Sequence, residues 1–300
     1  TVTPQANFDA YMIRLSTLGS FIQTIPIVGL GMQYSTDITT LGSYLYVVGS
    51  ISGVTDFDPT EDIYSVTPSS IEYYAVKFST PKTVYVNSDT GNDTLGDGTV
   101  AAPYKTFTEA YGAVTDGDTL DLTGTFDWSN PDETGDAVDT GFVIDKNITI
   151  QGQSASATII QASSTEETAD RSVFTIHGTT TAVITDVTIR YGVATYGIGG
   201  GGITNRGNLT LEHVHIRDNM FNGGGYGGAG GIYSGTAGET ATYLTIATST
   251  ISNNTIVGSL YGSGGIFIES NNGILTITDS TISSNTAEIS APDAFPYSYA

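Results

Sequence analysis

The chain has 300 residues, with 9 Lys+Arg against 31 Asp+Glu, a formal net charge of −22 and no cysteine. This excludes the basic footprint that a nucleic acid needs and the polybasic surface that docks on anionic lipid. It also excludes disulfides and thiolate metal sites. Only 13% of residues are charged, so Thr, Ser, Gly and Asn supply the polarity, a mix that suits strands and tight turns. No apolar run approaches the length of a membrane span, and no membrane insertion is expected.

Residues 1–80 read as a first domain. D-A-Y-M-I-R-L (9–15) recurs as E-Y-Y-A-V-K-F (72–78), 63 residues on from Asp9 to Glu72, with acid, aromatic, apolar and basic positions in register. Between the copies lie strand-like runs at Phe21–Val28, Asp37–Thr40, Tyr44–Gly49 and Ile63–Val66, separated by Gly, Ser and Pro turns. A period of this size is a supersecondary unit. The stretch Tyr46–Ser50, the turn Asp56-Phe57-Asp58-Pro59 and Val76-Lys77 together resemble the seven-bladed β-propeller repeat of bacterial secreted proteins. That resemblance implies an incomplete antiparallel blade-like sheet and further domains of the same longer chain. Asp56, Asp58, Glu61 and Asp62 have the oxygen-rich character of a calcium site. They also suit an Asx/Pro turn, with Asp58 opening it and Pro59 fixing φ, and turn chemistry favours that reading.

Residues 81–300 read as a second domain. Thr106–Val114 is the one convincing helix, with Phe107, Ala110, Tyr111 and Val114 at helical spacing. Asp116-Gly117-Asp118 stops it, and Thr119–Leu122 alternates as a strand. The segment Ala101, Pro103, Tyr104, Lys105, Thr106, followed by Gly117, Asp118, Thr119 and Leu120, resembles the N-terminal region of right-handed parallel β-helix proteins, the pectate-lyase-like superfamily. The helix then has a structural reason, because a solenoid's first rung has no neighbour and its apolar end needs a cover. The loop carrying Asp89, Asp93 and Asp97 contains G-N-D-T-L (91–95), half of a nonapeptide calcium repeat. One copy reads more simply as a loop. A second loop, from Gly124 to Gly141, is acidic and holds the single tryptophan, Trp128. An exposed indole beside carboxylates would offer a stacking face to a sugar; an ordinary solvated insertion with a half-buried ring is the plainer reading.

The rest of the chain writes one phrase three times. GGI at 201–203, 230–232 and 264–266 is followed by LTLEHVHIRDN (209–219), LTIATSTISNN (244–254) and LTITDSTISSN (275–285). More degenerate copies begin at Ala182 and at Asn147–Ile150. Period two points Leu209, Leu211, Val214 and Ile216 inward and Thr210, His215 and Arg217 outward. Asn219, Asn254 and Asn285 recur at one register and predict a ladder of stacked amides. The Gly pairs predict tight corners where φ can be positive. No helix follows them, which argues against a phosphate cradle. Insertions fall after the Asn or between GGI and the next strand, as a solenoid allows. The tail Ser290–Ala300 stops where another Gly pair is due, and truncation of the solenoid is expected there.

Stacking the rungs places Asp186, His213, Thr248 and Asp279 in one column, Thr185, Glu212, Ala247 and Thr278 in a second, and Arg190, Arg217, Ser252 and Ser283 in a third, with rungs about 4.8 Å apart. Asp186, Glu212, His213, His215 and Arg217 are therefore the candidates for acid–base chemistry on a polysaccharide. Outward positions of a solenoid are polar in any case, and such pairs are ordinary surface neighbours. The calcium-binding Asp set with an Arg base of pectate lyases is not found, nor is the Asn-x-Asp, Asp-Asp and Gly-His-Gly set of polygalacturonases. The GGI…N pattern is more similar to non-enzymatic surface proteins, including autotransporter passengers. The expectation is an all-β right-handed parallel β-helix with a short capping helix. It would belong to an extracellular or cell-surface bacterial protein of structural or adhesive role, contacting polysaccharide or cell-surface glycan. The alternative is a carbohydrate-active lyase or hydrolase acting on the outer face. Calcium is the one cofactor the sequence suggests.

Overall fold

The computed structural model describes residues 9–15, 21–41, 44–57, 65–79, 81–138, 140–195, 199–223, 227–235, 241–258, 262–269 and 273–288. The chain divides into two compact units, Thr1–Thr80 and Pro81–Ala300.

In the first unit the strands are antiparallel. Ala10–Leu15, Phe21–Gly29, Thr55–Asp56 and Ser65–Val66 form one sheet in that order, and Gln33–Leu41, Tyr44–Ile51 and Glu72–Ser79 form another. Ala10, Met12, Ile25, Ile27, Val47, Ile51 and Phe57 make its core, with Tyr74 and Val76 packed against it. The 63-residue repeat is not a structural equivalence. Ala10 and Met12 are buried, whereas Tyr73 and Ala75, their counterparts in the alignment, are exposed. Successive strand residues point to opposite faces, so the second copy has turned its other face inward. The unit is thus a pair of antiparallel sheets, without the equivalence of strands that a blade repeat demands.

The second unit is a parallel β-solenoid of about five turns. Its first ladder stacks Thr83–Asn87, Thr119–Asp127, Thr149–Gln151, Thr181–Thr185, Asn208–Glu212, Thr242–Ala247 and Gly273–Thr278. The second begins with the C-terminal half of Thr119–Asp127 and continues through Thr158–Gln161, Thr188–Arg190, His215–Arg217, Thr250–Ser252 and Thr281–Ser283. A third runs from Val193–Ala194 to Thr286–Glu288. The Gly-Gly-Ile ladder runs from Gly141–Ile144 through Phe174–Ile176, Ile203–Asn205 and Ile232–Ser234 to Ile266–Ile268. Ala182, Leu209, Leu244 and Leu275 stand in one register, as the repeat requires. Leu209, Leu211, Val214 and Ile216 are all buried in a core that runs through the solenoid.

The recurrent Gly pair and the recurrent Asn are one device. Asn219 Nδ2 donates to Asn254 Oδ1 at 3.0 Å, and Asn254 Nδ2 donates to Asn285 Oδ1 at 2.9 Å. The same amides donate to the carbonyls of Ile189, Ile216 and Ile251. The second glycine of each pair lies against this stack: a Cβ on Gly202, Gly231 or Gly265 would meet the Asn219, Asn254 or Asn285 amide at 3.1 to 3.2 Å. None of the paired glycines has positive φ. Close approach demands them, and the expected left-handed corner is corrected.

Left-handed backbone recurs elsewhere, at two columns of non-glycine residues. Asp186, His213, Thr248 and Asp279 have φ of 58, 53, 50 and 49° at the corner between the first and second ladders. Tyr191, Asp218, Asn253 and Ser284 repeat this at the next corner. The solenoid therefore turns by single left-handed residues, the sparsely populated conformation that Asn and Asp tolerate best.

The helix, Phe107–Ala113, is N-capped by Thr106, whose hydroxyl accepts from Glu109 N. Phe107 and Ala110 are buried in the solenoid core. Lys146 Nζ donates to the carbonyls of Tyr111 and Val114 and closes the C-terminal end. Tyr111 donates to Asp145 at 2.6 Å; burial and that carboxylate hold its phenol proton well above the usual tyrosine range. At the opposite end Leu275, Ile277 and Ile282 are exposed, and the expectation for the tail at 290–300 falls outside the described residues.

Candidate functional site

The first left-handed corner forms the floor of an open groove of about 380 Å³, lined by Ser154, Ala155, Asp186, His213, Val214, His215, Thr248 and Thr250. His213 Nδ1 stands 3.7 Å from Asp186 Oδ1, and both side chains are partly exposed. Asp186 Oδ2 accepts from the Thr185 hydroxyl at 2.8 Å. His215 Nε2 lies 3.0 Å from Ser252 Oγ on the next rung. Burial, then the Arg217 charge, push the His215 pKa down, and Asp218 opposes them. The ring therefore resists protonation at neutral pH.

The structure gathers three of the five candidates and separates two. Glu212 is exposed on the flat outer face of the first ladder, paired in register with Thr185 and Ala247. Arg217 sits on the far side of the second ladder, next to the second corner, in an ion pair with Asp218. Arg190, its neighbour in register, donates to Gln161 and lies over the Tyr191 ring.

The calcium candidates resolve differently. Asp58, Glu61 and Asp62 lie outside the described residues; Asp56 is in a short strand paired with Val28 and Ser65. Asp93 Oδ1 accepts from Lys105 N and Thr106 N, and Asp97 Oδ1 accepts from the N–H and hydroxyl of Thr99. Asp89 donates its N–H to Asn87. The bonds at Asp97 and Asp89 are local turn bonds, and those of Asp93 tie the loop to the start of the helix. Beside them an open cleft of about 670 Å³ is lined by Asp93, Lys105 and Asp132. There the Lys105 ammonium stands 3.0 Å from Asp132. Among the described residues no three His, Asp or Glu side chains form a group that could hold a metal ion.

Trp128 is the clearest correction. It is 2% exposed, its Nε1 donates to Val173 O at 2.8 Å, and its ring packs against Phe107, Phe142 and Phe174. An indole so placed is core, with its polar edge satisfied. It offers no face to a sugar.

Two features escaped the sequence reading. The groove wall at Ser154 and Ala155 comes from the preceding rung, and an insertion of this kind carries no periodic signal. Glu133, in the loop that reads as solvated, is buried: its carboxylate accepts from Phe107 N, Thr108 N and the Thr108 hydroxyl. Burial raises its pKa more than these bonds lower it, and the Asp93 charge adds to the rise. A carboxyl whose folded pKa is raised stabilises the fold below its unfolded pKa and loses that contribution as pH rises through the folded one. Glu133→Gln is therefore expected to flatten the fall of stability with rising pH just above the ordinary glutamate range. Urea titrations of both proteins across that range check it, and an unchanged slope counts against it.

No protein-family model matches the chain, and no curated protein matches it. Among solved structures it is similar to the native GH136 lacto-N-biosidase of Eubacterium ramulus, at 10% identity and a TM-score of 0.28 over 69% of this chain and 68% of that one.

Proposed function

We propose that the chain is a structural or adhesive segment of an extracellular or cell-surface protein, a rigid acidic solenoid whose outer face contacts glycans. The observation that carries this reading is what the recurrent residues do. Gly pair, inward aliphatics and Asn all bond or pack on their counterparts one rung away. What the repeat preserves is stacking, and what varies is the outer face. A catalytic reading has less support. Glycoside hydrolysis generally uses two carboxyl groups flanking the bond, and the corner groove is lined by one, Asp186.

Incubation with polygalacturonate and with neutral polysaccharides, with and without calcium, tests the proposal. No new unsaturated or reducing ends are expected. Their appearance at a rate that follows protein concentration overturns the structural reading in favour of a lyase or hydrolase.

A further inference from the structure

We infer that the corner groove docks a neutral, hydroxyl-rich saccharide rather than a uronate polymer; the inference rests on the glycan-facing reading above and narrows it. Three observations carry it.

The first is shape. The groove has the volume of an ordinary ligand site, which runs from roughly 300 to 1,000 Å³, and its wall is built in advance. Gly152 N donates to Thr185 O, Ala157 N and Thr158 N donate to Ser154 O, and Gln153 N donates to the Thr158 hydroxyl. Thr188 on the next strand donates to Ala155 O. The turn that carries Ser154 is thus bonded on both sides and needs no ordering when a ligand arrives.

The second is chemistry. The lining offers one carboxylate, two imidazoles and the hydroxyls of Ser154, Thr248 and Thr250. A sugar hydroxyl both donates and accepts. Placed over Asp186 and His213, it can give its proton to the carboxylate and take a bond from the ring. Thr248 also occupies left-handed backbone, where a β-branched residue is costly and Asn, Asp, His or Gly would be cheaper. Backbone preference therefore does not explain its side chain, and strained residues of this kind cluster at ligand sites.

The third is charge. No Lys or Arg lines the groove, whereas Asp186 does. Arg217, two residues beyond His215 on the same strand, is paired with Asp218. With a net charge of −22 on the chain, a uronate meets like charge on approach and at the floor, and a neutral sugar does not.

The test is affinity electrophoresis of the 300-residue chain in gels containing xyloglucan, galactomannan or β-1,3-glucan, against polygalacturonate and alginate. Two variants accompany it, Asp186→Asn and His213→Gly. Both new residues suit a φ near that of the corner, and unfolding midpoints confirm that each variant folds. At least one neutral polymer is expected to retard the chain, with the two uronates leaving it unretarded and each variant weakening binding about tenfold or more, roughly 1.4 kcal/mol. Neutral binding that both variants leave intact overturns the groove and leaves the glycan reading standing. Preferential retardation by a uronate overturns the ligand class. Retardation by none of the five overturns the glycan reading and the groove with it.

Discussion

Asn254→Ala is expected to lower the stability of the solenoid by about 3–5 kcal/mol, because several buried polar groups lose their partners at once, each costing roughly 1–3 kcal/mol. Asn254 is fully buried. Its Oδ1 accepts from both Asn219 N and Asn219 Nδ2, and its Nδ2 donates to Ile216 O, Ser252 O and Asn285 Oδ1. Alanine removes every one of these bonds and restores none. Asn285 stands at the last described rung and is only half-buried, so water can replace part of its three bonds to Asn254 and Ile251, and Asn285→Ala is the milder change, at about 1–2 kcal/mol. Because each rung of a solenoid contacts only its neighbours, the damage should be local. Hydrogen exchange is expected to accelerate first in the strands on either side of residue 254, while Trp128, several rungs away, reports a later transition. Urea unfolding followed by circular dichroism and by tryptophan fluorescence measures both quantities. A loss below about 1 kcal/mol, the net worth of one ordinary hydrogen bond, means that the ladder is dispensable.

Trp128→Ala is expected to cost about 3–5 kcal/mol, the range for emptying a large aromatic site in a core. The indole fills the space between Phe107, Phe142 and Phe174, with ring centroids 5.5 to 5.9 Å away. Val173 O keeps a second donor, Phe142 N, when the indole is gone. The loss is therefore mainly cavity and contact rather than an orphaned carbonyl. Trp128→Phe keeps part of the packing and should recover much of the loss. Denaturant titration by circular dichroism reads the stability, and glycan retardation per folded molecule should be unchanged by either substitution. Loss of retardation in a variant that remains folded would return Trp128 to the binding surface.

The two expectations show where the sequence was readable. The Asn ladder was visible because parallel stacking converts a spatial neighbour into a repeated register. Ala182, Leu209, Leu244 and Leu275 align in the sequence for the reason that they pair in space. The helix was readable from Phe107, Ala110, Tyr111 and Val114, since their spacing matches the turn of a helix that buries one face. Trp128 was not readable. It lies in a non-repeating loop whose acidic neighbours suggest solvent, and one of them, Glu133, is itself folded inward to bind the first turn of the helix. The 63-residue repeat misled for the opposite reason. Its residue types recur, but one-residue alternation decides burial, and the two copies bury opposite faces.

For the candidate site the division is similar. Columns of residues at one register follow from the repeat, and they put Asp186 next to His213. Which of the outward residues share a concave surface depends on where the chain bends. The left-handed corners at Asp186 and His213, and the wall at Ser154 and Ala155, draw His215 into the same groove and leave Glu212 and Arg217 outside. Parallel stacking, the inward aliphatic face and the Asn register follow from the order of residues alone, because all three are periodic and each rung meets only the next. The tertiary structure alone decided the reason for the Gly pairs, the burial of Trp128 and Glu133, and the membership of the groove. Those depend on distances between segments of unequal length, and no period in the chain encodes them.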